Sequence, residues 1–157
     1  MTAPLPDAVR FVALAAREIA DNDICFVGIG MPSLAAITAK RLHAPDSVLI
    51  YESGAVDAEP PVPPLSTGSP SVVADTAMVT SCLGVFAMLQ QGVFDIGLLS
   101  AAQVDRYGNL NSTVLGPYAK PTVRLVGSGG AHDIAVLVRE VVILMPHDPR
   151  RFVPRVD

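Results

Sequence analysis

A chain of 157 residues is long enough for one domain with a substantial core and too short for two full ones. Half of its residues are apolar and 17% are charged, which excludes disorder and leaves few charges for the surface; much of that surface is expected to lie under another subunit. A net charge of −4, with no Lys/Arg cluster before the last eight residues, excludes a phosphate-tracking nucleic-acid surface.

No apolar run reaches the ~18 residues of a membrane span, and the N-terminus lacks the basic, apolar and cleavage regions of a secretory signal. A cytoplasmic protein is expected, with no membrane contact. Cys25 and Cys82 stand apart, without CxxC spacing and among apolar neighbours, so both read as small core residues and not as a disulfide or metal pair. No metal site is expected, since neither His43 nor His147 has a second ligand nearby in the sequence.

Val9, Phe11, Val12, Ala15, Ala16 and Ile19 recur at helical spacing behind a Pro6-Asp7 start, which predicts an amphipathic helix over 7–20. Ile24 to Val27 is a short apolar run stopped by Gly28-Ile29-Gly30, the pattern of a strand buried on both faces. Pro32-Ser33 opens a second helix to His43, and Val48 to Tyr51 is a second buried strand ending at Glu52-Ser53-Gly54. The stretch Ala58 to Pro70 holds Pro60, Pro61, Pro63, Pro64 and Pro70, too many for ladder or helix, and reads as a long ordered loop or arm.

Residues 77–91 are helical in pattern and end at Gly92. Phe94 to Leu99 is a third strand, followed by the polar stretch Gln103 to Asn109. Val123 to Val126 is a fourth strand, Gly129 to Val138 a helix and Val141 to Leu144 a fifth strand. Alternating strands and helices predict an α/β fold, an open mostly parallel sheet with helices on both faces, over one domain spanning 1–157.

In such sheets ligands bind beyond the carboxyl ends of the strands. The polar and glycine-rich segments fall there: Gly28 to Gly30, Glu52 to Gly54, Gln103 to Asn109 and Gly127 to Asp133. A dinucleotide site is one reading, because Gly28-x-Gly30 follows a strand, opens a helix and has Glu52 further on. Two departures weigh against it: Ser33 stands where the third glycine belongs, and Pro32 removes an amide that would cradle a pyrophosphate.

The other reading makes Glu52 the reactive group. A carboxylate can attack an activated acyl group such as a thioester once it is desolvated and held at near-attack distance, and glycine at 54 would let a substrate approach the backbone. The tetrahedral oxyanion so formed needs fixed donors, which Gly127-Ser128-Gly129-Gly130-Ala131 before a helix is suited to supply. On spacing alone Glu52 could equally cap a helix or pair with Arg106, and Gln103 to Asn109 could simply hold a turn.

The motifs Gly28-Ile29-Gly30-Met31-Pro32, Tyr51-Glu52-Ser53-Gly54, Gln103 to Asn109 and Gly127 to Asp133, in this order, resemble the β subunit of family I coenzyme A transferases of the glutaconate and 3-oxoacid types. The resemblance runs from about residue 8 to the C-terminus. It implies the family's α/β fold, Glu52 as nucleophile, and oxyanion or substrate-binding roles for Gly129, Gly130 and Ala131, with Gln103, Gly54 and Gly30 beside the substrate.

It implies further that an α subunit completes the active site, in a heterodimer or α2β2 heterotetramer, and that the chain alone is inactive. Coenzyme A would then be substrate and covalent intermediate, with no bound cofactor, and the exchange would join an acyl-CoA and a 3-oxoacid or dicarboxylic acid through a glutamyl-CoA thioester. Family β subunits continue well past the position of Asp157, so a short or truncated C-terminus is expected. Some relatives are hydrolases of CoA-linked intermediates and can lack the glutamate; its presence at position 52 favours transfer.

Overall fold

The computed structural model describes residues 6–157. The first half contains α1 (Asp7–Ala16), β1 (Ile24–Val27), α2 (Met31–Leu42), β2 (Val48–Ile50), β3 (Ala55–Val56), a 3₁₀ turn at Pro70–Val72 and β4 (Met78–Val79). The second contains α3 (Cys82–Gln90), β5 (Ile96–Leu99), β6 (Gln103–Asp105), β7 (Leu110–Asn111), β8 (Val114–Leu115), β9 (Val123–Arg124), α4 (Ala131–Leu137), β10 (Glu140–Ile143) and β11 (Phe152–Val153).

The apolar runs form the centre of a six-stranded sheet ordered β10-β5-β1-β2-β3-β4. Its first four strands are parallel, while β3 and β4 add antiparallel to the edge at β2. Because side chains alternate across a strand, each run feeds two cores. Cys25, Val27, Leu49, Tyr51 and Leu98 pack against α1 and α2, whereas Phe26, Ile50 and Leu99 pack against Val85 and Leu89 of α3 and Ile134 of α4. Helices therefore cover both faces, as the alternation of elements predicts.

Close packing depends on small residues at the contacts. Ala35, Ala36 and Ala39 are the fully buried face of α2, and a Cβ on Gly97 would lie 2.8 Å from Ile134 Cγ2, so the bare backbone of β5 is what lets α4 lie down. Cys25 is fully buried in β1, and that burial pushes its thiol up to about 12 from the ordinary 9.0, with Asp23 and Asp95 adding to the rise. Unfolding releases the thiol to ionise near its ordinary value, so above pH 9 the unfolded chain holds fewer protons than the fold. Stability is expected to fall as pH rises from about 9 to about 12, by up to about 1.4 kcal/mol per pH unit; urea melts of wild type and Cys25→Ala across that window check it, because the variant loses that part of the slope.

Several elements differ from the sequence reading. The first helix stops at Ala16, although Ile19 remains buried in the following turn. The helix expected from residue 77 starts at Cys82, because Met78-Val79 pair with Val56 and Ala55 as an edge strand and Ser81 Oγ then accepts from the Gly84 amide (3.0 Å) as an N-cap. Cys82 is exposed at the head of α3 and is not a core residue, since the helix buries Val85 and Leu89.

Residues 123–126 do not join the central sheet. Val123 and Arg124 pair antiparallel with Leu115 and Val114 in a separate two-stranded ladder, and Val126 is fully exposed. Gln103–Asp105 is likewise a strand of a small sheet ordered β11-β6-β7. The proline-rich stretch is a loop tied down in part by Arg41, whose guanidinium donates to the Pro60 and Pro61 carbonyls.

Candidate functional site

Four parallel strands place their carboxyl ends on one edge, which brings Gly28–Gly30, the turn after β2 and Ser100 to the same side of the sheet. Glu52 sits at the tip of the hairpin joining β2 to β3. That turn closes through Gly54 N–H to the Tyr51 carbonyl (2.9 Å) and Tyr51 N–H to the Ala55 carbonyl (3.0 Å). Its base is anchored by Tyr51, whose ring is buried and whose hydroxyl lies 2.7 Å from that of buried Ser33. Burial pushes the Tyr51 phenol above its ordinary 10.0, with the Ser33 hydroxyl pulling the other way. Ser33, at the position of a third dinucleotide-loop glycine, is thus a packing partner of this hairpin.

Gly54 adopts φ +115°, and a Cβ there would fall 1.9 Å from the Thr80 carbonyl oxygen. The Thr80 amide in turn donates to the Gly54 carbonyl (2.8 Å). The close approach that this glycine permits in the fold is therefore to the strand end before α3.

Glu52 is half-buried and, among the described residues, makes no hydrogen bond and no ion pair. It does not pair with Arg106, whose guanidinium donates to the Tyr107 hydroxyl (2.7 Å) and stacks on that ring. The carboxylate is left unengaged beside the glycine-rich loop: a Cβ on Gly130 would stand 3.5 Å from Glu52 Oε1 and 2.4 Å from Phe86 Cζ. Gly130 thus packs on the Phe86 ring of α3 and faces the acid at once.

The loop itself is turned by left-handed glycines, Gly127 at φ +93° and Gly129 at φ +52°. Among the described residues neither the Gly129 nor the Gly130 amide has an acceptor, whereas the Ala131 amide donates to the Ser128 carbonyl (2.9 Å). Two free donors and one free carboxylate on facing loops can hold an acyl carbon and take up the charge on its oxygen.

The other expected site residues are placed differently. Gly30 caps α2 at φ +84° on the same sheet edge, with open space where a Cβ would stand. Gln103 is buried, and its amide is taken up: it donates to Asp157 Oδ2 (3.1 Å) and accepts from Asn111 Nδ2 (2.7 Å). Thr80 and Phe86, which fix Gly54 and Gly130, lie outside the motifs; nothing in their apolar helical context marks them. Ser53 Oγ, next to Glu52, is buried without a partner among the described residues. Among those residues no group of three or more His, Cys, Asp or Glu could hold a metal ion, and no helix is long and apolar enough to cross a membrane.

Residues 9–157 match the family model described as coenzyme A transferase. The β chain of the 3-oxoadipate CoA-transferase of Pseudomonas knackmussii is 49% identical over 143 residues, 90% of this chain and 55% of that protein. The β chain of the glutaconate CoA-transferase of Acidaminococcus fermentans is 35% identical over 153 residues, again 90% of this chain and 55% of the other. The crystal structure of the glutaconate enzyme superposes with a TM-score of 0.91 over 98% of this chain and 60% of that one, at 32% identity.

The decarboxylase AibA/AibB superposes at 0.87 and 29% identity over 98% of this chain and 65% of its own. The chain spans about half the length of the curated relatives it matches. By its ordered motifs, its sheet and these matches, the chain belongs to the coenzyme A transferase family, as a β-subunit type.

Proposed function

We propose that this chain supplies Glu52 as the nucleophile of a heteromeric coenzyme A transferase that works in the cytoplasm by ping-pong exchange. The observation that carries the reading is the unengaged Glu52 carboxylate, 3.5 Å from a Cβ position on Gly130 and facing a loop with two free amides. A carboxylate oxygen of Glu52 attacks the thioester carbonyl carbon, and the oxyanion is held by the Gly129 and Gly130 amides. The C–S bond breaks to give a mixed anhydride and CoA thiolate. The thiolate then attacks the glutamyl carbonyl, releasing the first acid as its carboxylate and leaving a glutamyl-CoA thioester. An incoming carboxylate reverses both steps, forms the new acyl-CoA and frees Glu52.

Coenzyme A is thus substrate and part of the covalent intermediate, and the chain needs no other cofactor for this chemistry. An α subunit, in a heterodimer or α2β2 heterotetramer, supplies the remaining wall of the site, and Gly30 lines the approach to it. The acids exchanged are 3-oxoacids or dicarboxylic acids, following the names of the 3-oxoadipate and glutaconate relatives.

When the assembled complex is incubated with acyl-CoA and no acceptor, mass spectrometry is expected to find CoA on the peptide that contains Glu52. Absence of that mass in a complex that is turning over removes the reading. Hydrolysis is the second possibility, and the half-burial of Glu52 favours it: water reaches this carboxylate unless a partner covers it. Steady release of acid without an acceptor would identify that outcome.

A further inference from the structure

Resting on the transferase reading, we infer that Arg124 reads the far carboxylate of a short dicarboxylic substrate. A cavity of about 560 Å³ opens at the carboxyl end of β5, lined by Ser100, Ala102 and Ser112 on one side and by Arg124 and Val126 on the other. Arg124 is the one charged side chain among its lining residues. Val126 runs directly into the glycine-rich loop, whose Gly127 amide donates to the Ser112 carbonyl (2.8 Å). The cavity and Glu52 therefore lie at opposite ends of the segment that carries the free amides.

Arg124 is exposed, and its side chain makes no hydrogen bond among the described residues. Among the described residues it has no acidic partner. Its guanidinium stacks on the Tyr118 ring, 5.1 Å from the centroid, an arrangement that restricts the side chain while leaving its N–H edge free for a planar carboxylate.

The lengths agree. β5 and β2 flank β1, so the ends of the two strands are about 10 Å apart at the usual inter-strand spacing. A five- or six-carbon diacid separates its carboxyl carbons by about 5–6 Å at roughly 1.2 Å of extended length per bond, and an extended arginine side chain covers the rest. An acid of two or three carbons cannot reach both ends.

The test compares a six-carbon dicarboxylic acceptor with the monocarboxylic acid of the same length, in the assembled complex, for wild type, Arg124→Gln and Arg124→Lys. Arg124→Gln is expected to lower kcat/KM for the diacid on the order of 10–100-fold, the range one charge-assisted hydrogen-bonded pair supports. The monoacid should stay within about threefold and the KM of the acyl-CoA donor unchanged, with Arg124→Lys recovering part of the loss. Equal losses on both acids would mark a structural role and overturn the inference. A rise confined to the KM of the CoA ester would overturn it too, by assigning the arginine to a CoA phosphate. CoA mass on Glu52 is followed in the same samples: its presence without acid discrimination removes only this subsite, whereas its absence in wild type removes the transferase reading as well.

Discussion

Glu52→Gln is expected to lower CoA transfer by at least about 10³-fold with no change in melting temperature beyond about 2 °C. The carboxamide keeps the shape of the side chain and removes its nucleophilic oxygen. Because the carboxylate makes no hydrogen bond or ion pair among the described residues, no fold contact goes with it. Glu52→Asp is a sharper probe: it keeps the charge but withdraws it by about 1.5 Å, and displacement of that size costs on the order of 10²-fold in rate. Steady-state kinetics of the assembled complex, with calorimetry of each variant, checks both. Full activity in Glu52→Gln would end the assignment, and a large drop in melting temperature would mean that the acid serves the fold.

Gly54→Ala carries the largest expected cost in stability, about 3 kcal/mol or more. Its backbone stands at φ +115°, and the new methyl would fall 1.9 Å from the Thr80 carbonyl oxygen. That oxygen belongs to main chain, and Thr80 is itself held by its amide to the Gly54 carbonyl at 2.8 Å, so neither side can rotate away. Gly30→Ala is the control: its backbone at φ +84°, ψ −127° also disfavours an L side chain, but the space is open, so only the conformational penalty of about 1–3 kcal/mol applies. Urea denaturation of both variants separates crowding from conformation, and equal losses would show that the Thr80 contact contributes nothing.

The parts of the fold that declare themselves in sequence are those with enough residues to show a period. Ile24 to Val27, Val48 to Ile50 and Ile96 to Leu99 are uninterrupted apolar runs because both of their faces are covered, and they form the parallel centre of the sheet. Strands of two residues carry no such signal. Ala55-Val56 and Met78-Val79 are strands only because the chain returns to pair there, and this tertiary pairing overrides the helical pattern of 77–81. Val123 to Val126 is as apolar as a core strand yet lies exposed, since its neighbour is β8 and not β10.

At the site, Glu52 and the glycine pair stand out by their residue types, and the loop does come to the acid although it does not follow a strand of the central sheet. The use made of Gln103 could not be read, because its partners Asn111 and Asp157 are set by the small sheet, up to 54 residues away. Ser33 looked like a defect in a nucleotide loop and is the partner of a buried phenol.

Thr80 clamps the hairpin that carries the acid, and Phe86, two turns along the same stretch of chain, supports the glycine that faces it. The short stretch from Thr80 into α3 therefore acts as a spacer bar between Glu52 and the glycine-rich loop, setting the gap between them. Volume changes at Phe86 would retune that gap from a distance, and under the proposed mechanism they would act as a remote adjustment screw for turnover that leaves Glu52 and the loop amides unaltered.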